Sequence, residues 1–313
     1  MSVNLESGIE SSALSVPLLQ DDWAKTCIAR TETTLDRLLP PCTLSPIRLH
    51  EAMRYAVFAG GKRIRPMLCY AAGELTGAAD DALAEVAASI EMIHVFSLIQ
   101  DDLPVMDNDA LRHGKPTVHV QYDEATALLV CDALLSLAFL TLSEAPLAGQ
   151  YRAALTRELA LAGGSQGLSG GQFIDLASVG KPLCLSDLES MHRLKTGALI
   201  RAAVRMGALC AGGEQPGDTQ LYVILDDYAE VIGLAFQVVD DILDVSGNTA
   251  TLGKTAGKDA AADKPTYVSL LGLDATRQFA EVLRSRAYAA LESLGSRADR
   301  LRSLADWVVD RVY

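Results

Sequence analysis

Cysteine is sparse and scattered. Its six positions, 27, 42, 69, 131, 184 and 210, make no CxxC pair and no regular spacing. That usage excludes a disulfide scaffold and predicts a reducing, cytoplasmic setting. Positive charge is also short, 27 Lys and Arg against 40 Asp and Glu, for a formal net charge of -13. A surface so acidic repels phosphate backbones and anionic lipid alike, so nucleic acid is excluded as a partner. Long apolar runs are missing. The longest, 127–142, is interrupted by Asp132 and falls short of the ~20 residues a membrane span needs, so it predicts a buried helix and no membrane insertion. The first twenty residues lack a basic segment followed by an apolar core, which excludes an export signal. No Ser/Gly linker, charge block, 20–50-residue repeat or alternating Val/Ile/Thr run is visible.

What remains is a chain of 313 residues, 50% hydrophobic and 21% charged, which can bury a sizeable core. Apolar residues recur at helical spacing, predicting an all-α protein. Residues 1–17 read as a flexible tail and 18–313 as a single helical domain. Ser45-Pro46 before an apolar pattern, with Gly60-Gly61 after it, marks one helix, with the proline at its first helical position. Further helices are expected near 65–75, 80–102, 122–144, 149–163, 186–211 and 218–246, and from 274 to the end.

Within the apolar segment 231–244, Gln237, Asp240, Asp241 and Asp244 share one helical face. A lone acidic stripe is ordinarily a solvated face, but nearly every other position here is apolar, so the acids turn inward. Unpaired carboxylates in a core are costly, and oxygen-only donors without clustered Cys or His suit Mg²⁺ better than Zn²⁺. By contrast, Asp226-Asp227 reads as surface. A second acidic group, Asp101, Asp102 and Asp107, ends the apolar segment 89–107, where Pro104 should break the helix and let Asp107 return towards Asp101. His94, Ser97 and Asp101 continue one polar line along that helix. In a helical bundle the two groups can face each other and clamp several Mg²⁺ ions around a polyphosphate. Because the global charge opposes an anion, local cations are needed. Candidates are Lys62, Arg63 and Arg65 after Gly60-Gly61, the stretch Arg112-His113-Gly114-Lys115, Lys195 before Thr196-Gly197, and Lys254 and Lys264.

These residues resemble a known family. DDLPVMD at 101–107 and DDILD at 240–244 are similar to the two aspartate-rich motifs of the trans-type polyprenyl (isoprenyl diphosphate) synthases. GGKRIRP at 60–66, EMIH at 91–94, GGQFIDL at 170–176, KTG at 195–197, AFQVVDD at 235–241 and TLGK at 251–254 follow in the family's order. The resemblance, strongest to bacterial farnesyl/geranyl diphosphate synthases, implies a helical bundle of the isoprenoid synthase type with a central active-site cavity. It also implies a homodimer and a Mg²⁺-dependent prenyltransferase that condenses isopentenyl diphosphate with dimethylallyl or geranyl diphosphate. It places two Mg²⁺ on Asp101 and Asp107 and a third on Asp240, supported by Asp102, Asp241 and Asp244. Arg112, Lys195 and Lys254 are implied for the allylic diphosphate, Thr196 and Gln237 for the developing cation, and Gly61, Lys62, Arg65 and His94 for isopentenyl diphosphate. Phe96, five residues before Asp101, stands where the family reads the pocket floor of fifteen-carbon synthases. Three positions depart from the pattern: His113 in place of a second arginine, Gln100 in place of a histidine, and Cys131 in place of a glycine. The readings that compete are a geranylgeranyl diphosphate synthase, a terpene cyclase, which typically replaces the second acid motif, and a regulatory subunit of the same family.

Overall fold

Apolar periodicity of 3.6 residues leaves each helix one face to bury, and here those faces meet in one contiguous core running from Leu18 to Val308. The computed structural model describes residues 18–181, 183–211, 219–246 and 264–311; helices joined by turns and loops make up the described residues, and their only strands form one hairpin of two two-residue strands. In chain order they form α1 (Asp22–Leu38), α2 (Ile47–Val57), α3 (Ile64–Thr76), α4 (Asp80–Asp102), the single turn α5 (Val118–Gln121), α6 (Glu124–Glu144) and α7 (Gly149–Gly163). There follow α8 (Leu168–Ala177), α9 (Leu185–His192), a π-helical turn (Arg193–Gly197), α10 (Ala198–Leu209), α11 (Thr219–Ser246), α12 (Tyr267–Leu271), α13 (Leu273–Ala290) and α14 (Asp299–Asp310). The predicted tail, 1–17, and the TLGK motif with Lys254 lie outside the described residues.

α4 sits at the centre, packed by α1, α3, α6 and α10, and it is buried on almost every face. Its acidic end therefore emerges inside the bundle. α11 packs on α10 and α13, and its second acid group opens onto the same interior.

Several sequence expectations change. Pro46 caps α2 rather than opening it. The segment 186–211 is broken by the π turn, the helix expected over 122–144 starts at Glu124 and is preceded by the separate turn α5, and the sequence pattern does not mark α1 or α8. The apolar segment 127–142 belongs to a 21-residue helix, long and apolar enough to cross a membrane by length and composition, with only 39% of its most apolar window buried. The expected buried helix is thus half-exposed. Leu128, Leu129 and Leu140 each keep more than half of their surface, although α6 packs against α4, α2, α5 and α7. Asp226 is not a bare surface acid either, since Arg205 donates to it at 2.6 Å and Arg201 also pairs with it.

Candidate active site

A cavity of about 1160 Å³ opens where α4 and α11 end, and all six predicted aspartates line it. Pro104 supplies no amide to continue α4, so the chain folds back. The Asp107 amide donates to the Asp101 carbonyl at 2.9 Å and the Asn108 amide to the Leu103 carbonyl at 3.1 Å. That return places Asp107 beside Asp101, as the proline predicted. On α11 the inward spacing holds, with Asp241 and Asp244 buried and Asp240 half-buried.

Most of these acids have a basic or polar neighbour. Burial pushes the Asp101 carboxyl above its ordinary value and carries Asp102 up to about 6 even beside Arg112, whose guanidinium donates to Asp102 at 2.5 Å and 3.1 Å. Lys264 Nζ lies 2.9 Å from Asp107 and 3.6 Å from Asp175. Lys195 Nζ donates to Asp175 at 2.6 Å; against burial's opposing effect, Lys195 and Lys264 keep Asp175 below the usual carboxylate range. Asp240 accepts from Arg311 at 2.7 Å, and Asp241 from the Tyr267 amide at 2.7 Å. Thr196 donates to the Gln237 side-chain carbonyl at 3.0 Å, which joins the KTG segment to α11.

The opposite wall is cationic. Gly60 and Gly61 take φ values of 124° and 113°, a region that favours glycine, and carry the chain into Arg63 and α3. Lys62 is pushed down to about 8 by burial and by Arg311. Arg65 lies 3.2 Å from His94 Nε2. Burial, then the Arg65 charge, holds His94 well below its ordinary value, so the imidazole is neutral and accepts from the guanidinium at Nε2. Beneath them the Arg63 guanidinium donates to Glu91 at 2.7 Å, both side chains buried. His113 and Gly114 form the tip of the 111–116 hairpin with φ of 52° and 74°, the doubly left-handed turn such two-residue loops favour. A Cβ on Gly60 would sit 3.5 Å from the His113 Cβ, so the hairpin tip lies against the glycine loop. Desolvation there, followed by the charges of Arg112, Lys62, Arg63 and Lys115, pushes His113 down to about 4.

The structure thus brings Asp101, Asp102, Asp107, Asp240, Asp241, Asp244, Gly61, Lys62, Arg65, His94, Arg112, His113, Lys195, Thr196 and Gln237 to one cavity. Phe96 is not among the residues lining it. It is 7% exposed and stands in the wall between Val95 and Ser97, which do line it, and its carbonyl accepts the Cys131 thiol of α6 at 3.7 Å. Sequence reasoning passed over Asp175 and Arg311. Asp175 could have been found one turn beyond Gly171 in GGQFIDL, whereas a single arginine after α14 carries no sequence signal. Gln172 and His192 also line the cavity, and their buried side-chain nitrogen and oxygen atoms have no hydrogen-bond partner among the described residues.

Among the described residues no three His, Cys, Asp or Glu side chains converge into a ready metal cage. The donors that line both ends of the cavity are carboxylate oxygens, the chemistry that suits Mg²⁺, which is bound through one or two carboxylates together with substrate phosphates.

The polyprenyl synthetase family model matches residues 46–295. A probable farnesyl diphosphate synthase of Sinorhizobium fredii is 51% identical over 297 residues, 95% of this chain and 90% of that protein. The farnesyl diphosphate synthase of Escherichia coli is 46% identical, covering 92% of this chain and 97% of that protein. Among solved structures, a geranyltransferase of Helicobacter pylori complexed with magnesium and isoprenyl diphosphate superposes with a TM-score of 0.82 at 34% identity, over 95% of this chain and 98% of that one.

Proposed function

The chain belongs to the polyprenyl synthetase family, and from that premise we propose that it joins isopentenyl diphosphate to dimethylallyl or geranyl diphosphate and releases farnesyl diphosphate and diphosphate. One observation carries the reading: two acid groups and a separate cationic wall line a single cavity, which gives two diphosphates distinct seats. The names of relatives along most of the chain support the fifteen-carbon product.

Breaking the allylic C–O bond leaves charge on the departing diphosphate, so its stabilisation is the central electrostatic task. Asp101 and Asp107 would hold two Mg²⁺ ions and Asp240 a third, and bound Mg²⁺ supplies neutralisation of that diphosphate. Asp102, Asp241 and Asp244 support the ligands, Asp102 through Arg112 and Asp241 through the Tyr267 amide. Lys195, Arg112 and Lys254 bind the allylic diphosphate, and Thr196 and Gln237 present oxygens beside the developing cation. Gly61, Lys62, Arg65 and His94 seat isopentenyl diphosphate, with His94 neutral and orienting Arg65. Purified protein given radiolabelled isopentenyl diphosphate and dimethylallyl diphosphate should yield farnesyl diphosphate. A cyclic hydrocarbon product, or no turnover without a homologous partner, would overturn the reading.

The same reading makes residues 18–313 one catalytic domain, cytoplasmic and homodimeric. The exposed leucines of α6 form an apolar face suited to a second copy of the chain.

His113 bears on affinity. A neutral imidazole cannot make the bidentate contact of a guanidinium, so His113→Arg should tighten isopentenyl diphosphate by about 1–2 kcal/mol. The Michaelis constant for that substrate is the readout, and an unchanged or higher value would show that another cation already fills the place.

Phe96 bears on product length from within the wall. Phe96→Ala removes a buried ring whose chain neighbours on α4, Val95 and Ser97, line the cavity, at a cost of about 3–5 kcal/mol for a buried phenylalanine. Chromatography of the products should show a shift towards twenty carbons. A folded, active variant that still stops at fifteen would place the floor elsewhere.

A further inference from the structure

Lys195 and Thr196 are consecutive, yet they reach opposite walls of the cavity: Lys195 bonds Asp175 of α8 and Thr196 bonds Gln237 of α11. The turn that carries them, Arg193–Gly197, is the only π-helical turn among the described residues, and such turns are rare. Something must hold it.

The contacts identify what does. Gly171 of α8 lies so close to the turn that an added Cβ would overlap the Lys195 backbone nitrogen and come within 2.5 Å of the Lys195 Cα. Gly233 of α11 meets the turn from the other helix, and a Cβ there would lie 2.8 Å from the Gly197 Cα. Both obstacles are main chain, which cannot swing aside as a side chain can. Each glycine also stands four residues before the polar partner on its own helix, Gly171 before Asp175 and Gly233 before Gln237. At that spacing the two residues share a helical face. Each helix therefore presents a bare backbone against the π turn and, one turn further on, the group that receives its side chain.

We infer that Gly171 and Gly233 are positioning residues, two jaws that grip the π turn and thereby aim Lys195 at the allylic diphosphate and Thr196 at the reacting carbon. The inference rests on the functional reading above for what Lys195 and Thr196 meet, but the grip itself does not depend on it. Gly207 provides a control. It makes an equally tight backbone approach, to the Cys69 carbonyl in the α10–α3 contact, and takes no part in lining the cavity.

Gly171→Ala and Gly233→Ala should raise the Michaelis constant for the allylic substrate at least about tenfold and lower kcat, since an ångström of misplacement is enough for such losses. The constant for isopentenyl diphosphate should stay within about twofold, because the cationic wall that seats it is carried by other elements. Gly207→Ala should lower the melting temperature and leave the constant for the allylic substrate unchanged. If the two jaw variants behave like the control, or shift both substrates equally, the inference is overturned. Hydrogen exchange on the wild-type protein tests the grip even where a variant does not fold or the enzyme shows no activity. The amides of residues 193–197 should exchange as slowly as those of α10, and exchange as fast as in the exposed 179–181 stretch would overturn it. Absence of any prenyl transfer by the wild type would instead count against the functional reading.

Discussion

Asp101→Ala and Asp240→Ala are each expected to lower turnover by at least about 10²–10³-fold, the scale on which a preorganised charge-stabilising group is lost, while the protein stays folded. Asp101 is a carboxylate whose burial already raises its proton affinity, so its removal relieves a desolvation cost and should not lower stability. Asp240 holds one buried guanidinium, Arg311, which keeps a second acceptor in the Phe236 carbonyl at 2.6 Å and a stacking contact with the Phe236 ring. Circular dichroism and the melting temperature check folding, and steady-state turnover checks function. EDTA should silence the wild type and added Mg²⁺ restore it. Full activity in metal-stripped enzyme would sink the assignment of these carboxylates.

The second large effect is on stability. Arg63 and Glu91 form an ion pair at 2.7 Å with side chains 2% and 3% exposed, and Arg63 also donates to the Val57 carbonyl at 2.8 Å. Removing one member of such a pair strands the other charge in a low dielectric. Glu91→Leu should therefore cost about 3–5 kcal/mol, read from denaturant midpoints. Replacing both, Arg63→Met with Glu91→Leu, should recover much of that loss, because an apolar pair of similar volume needs no compensation. The pair also fastens the glycine loop to α4, with Glu91 three residues before His94 on the same helix. The single variant should consequently raise the Michaelis constant for isopentenyl diphosphate through displacement of Arg65. A Glu91→Leu protein as stable as the wild type would show that Glu32, 3.6 Å from Arg63 and half-exposed, suffices as counter-ion.

Much of this site was legible in the chain. The inward acids at 237–244 follow from helical spacing in an apolar context, and the return of Asp107 follows from Pro104. The ends of α4, α7 and α11 were read within a residue or so because their apolar patterns stop at Gly, Pro or polar breaks. The π turn was not legible, since RLKTG is acceptable as α-helix on propensity alone. The geometry of that turn comes from the two helices that close on it.

Local chemistry in the sequence thus determined the helical class, the acid faces, the cation-bearing loops and the family. Periodicity and backbone stereochemistry act over a few residues and can be read without knowing the neighbours. Only the tertiary structure decided which cation meets which acid, that Arg311 reaches Asp240 from the far end of the chain, that Phe96 stands in the wall and not on its surface, and that one face of α6 is left open. Each of these depends on the distance between segments remote in sequence. Burial and charge interactions vary steeply with that distance, while the order of residues along the chain leaves it undetermined.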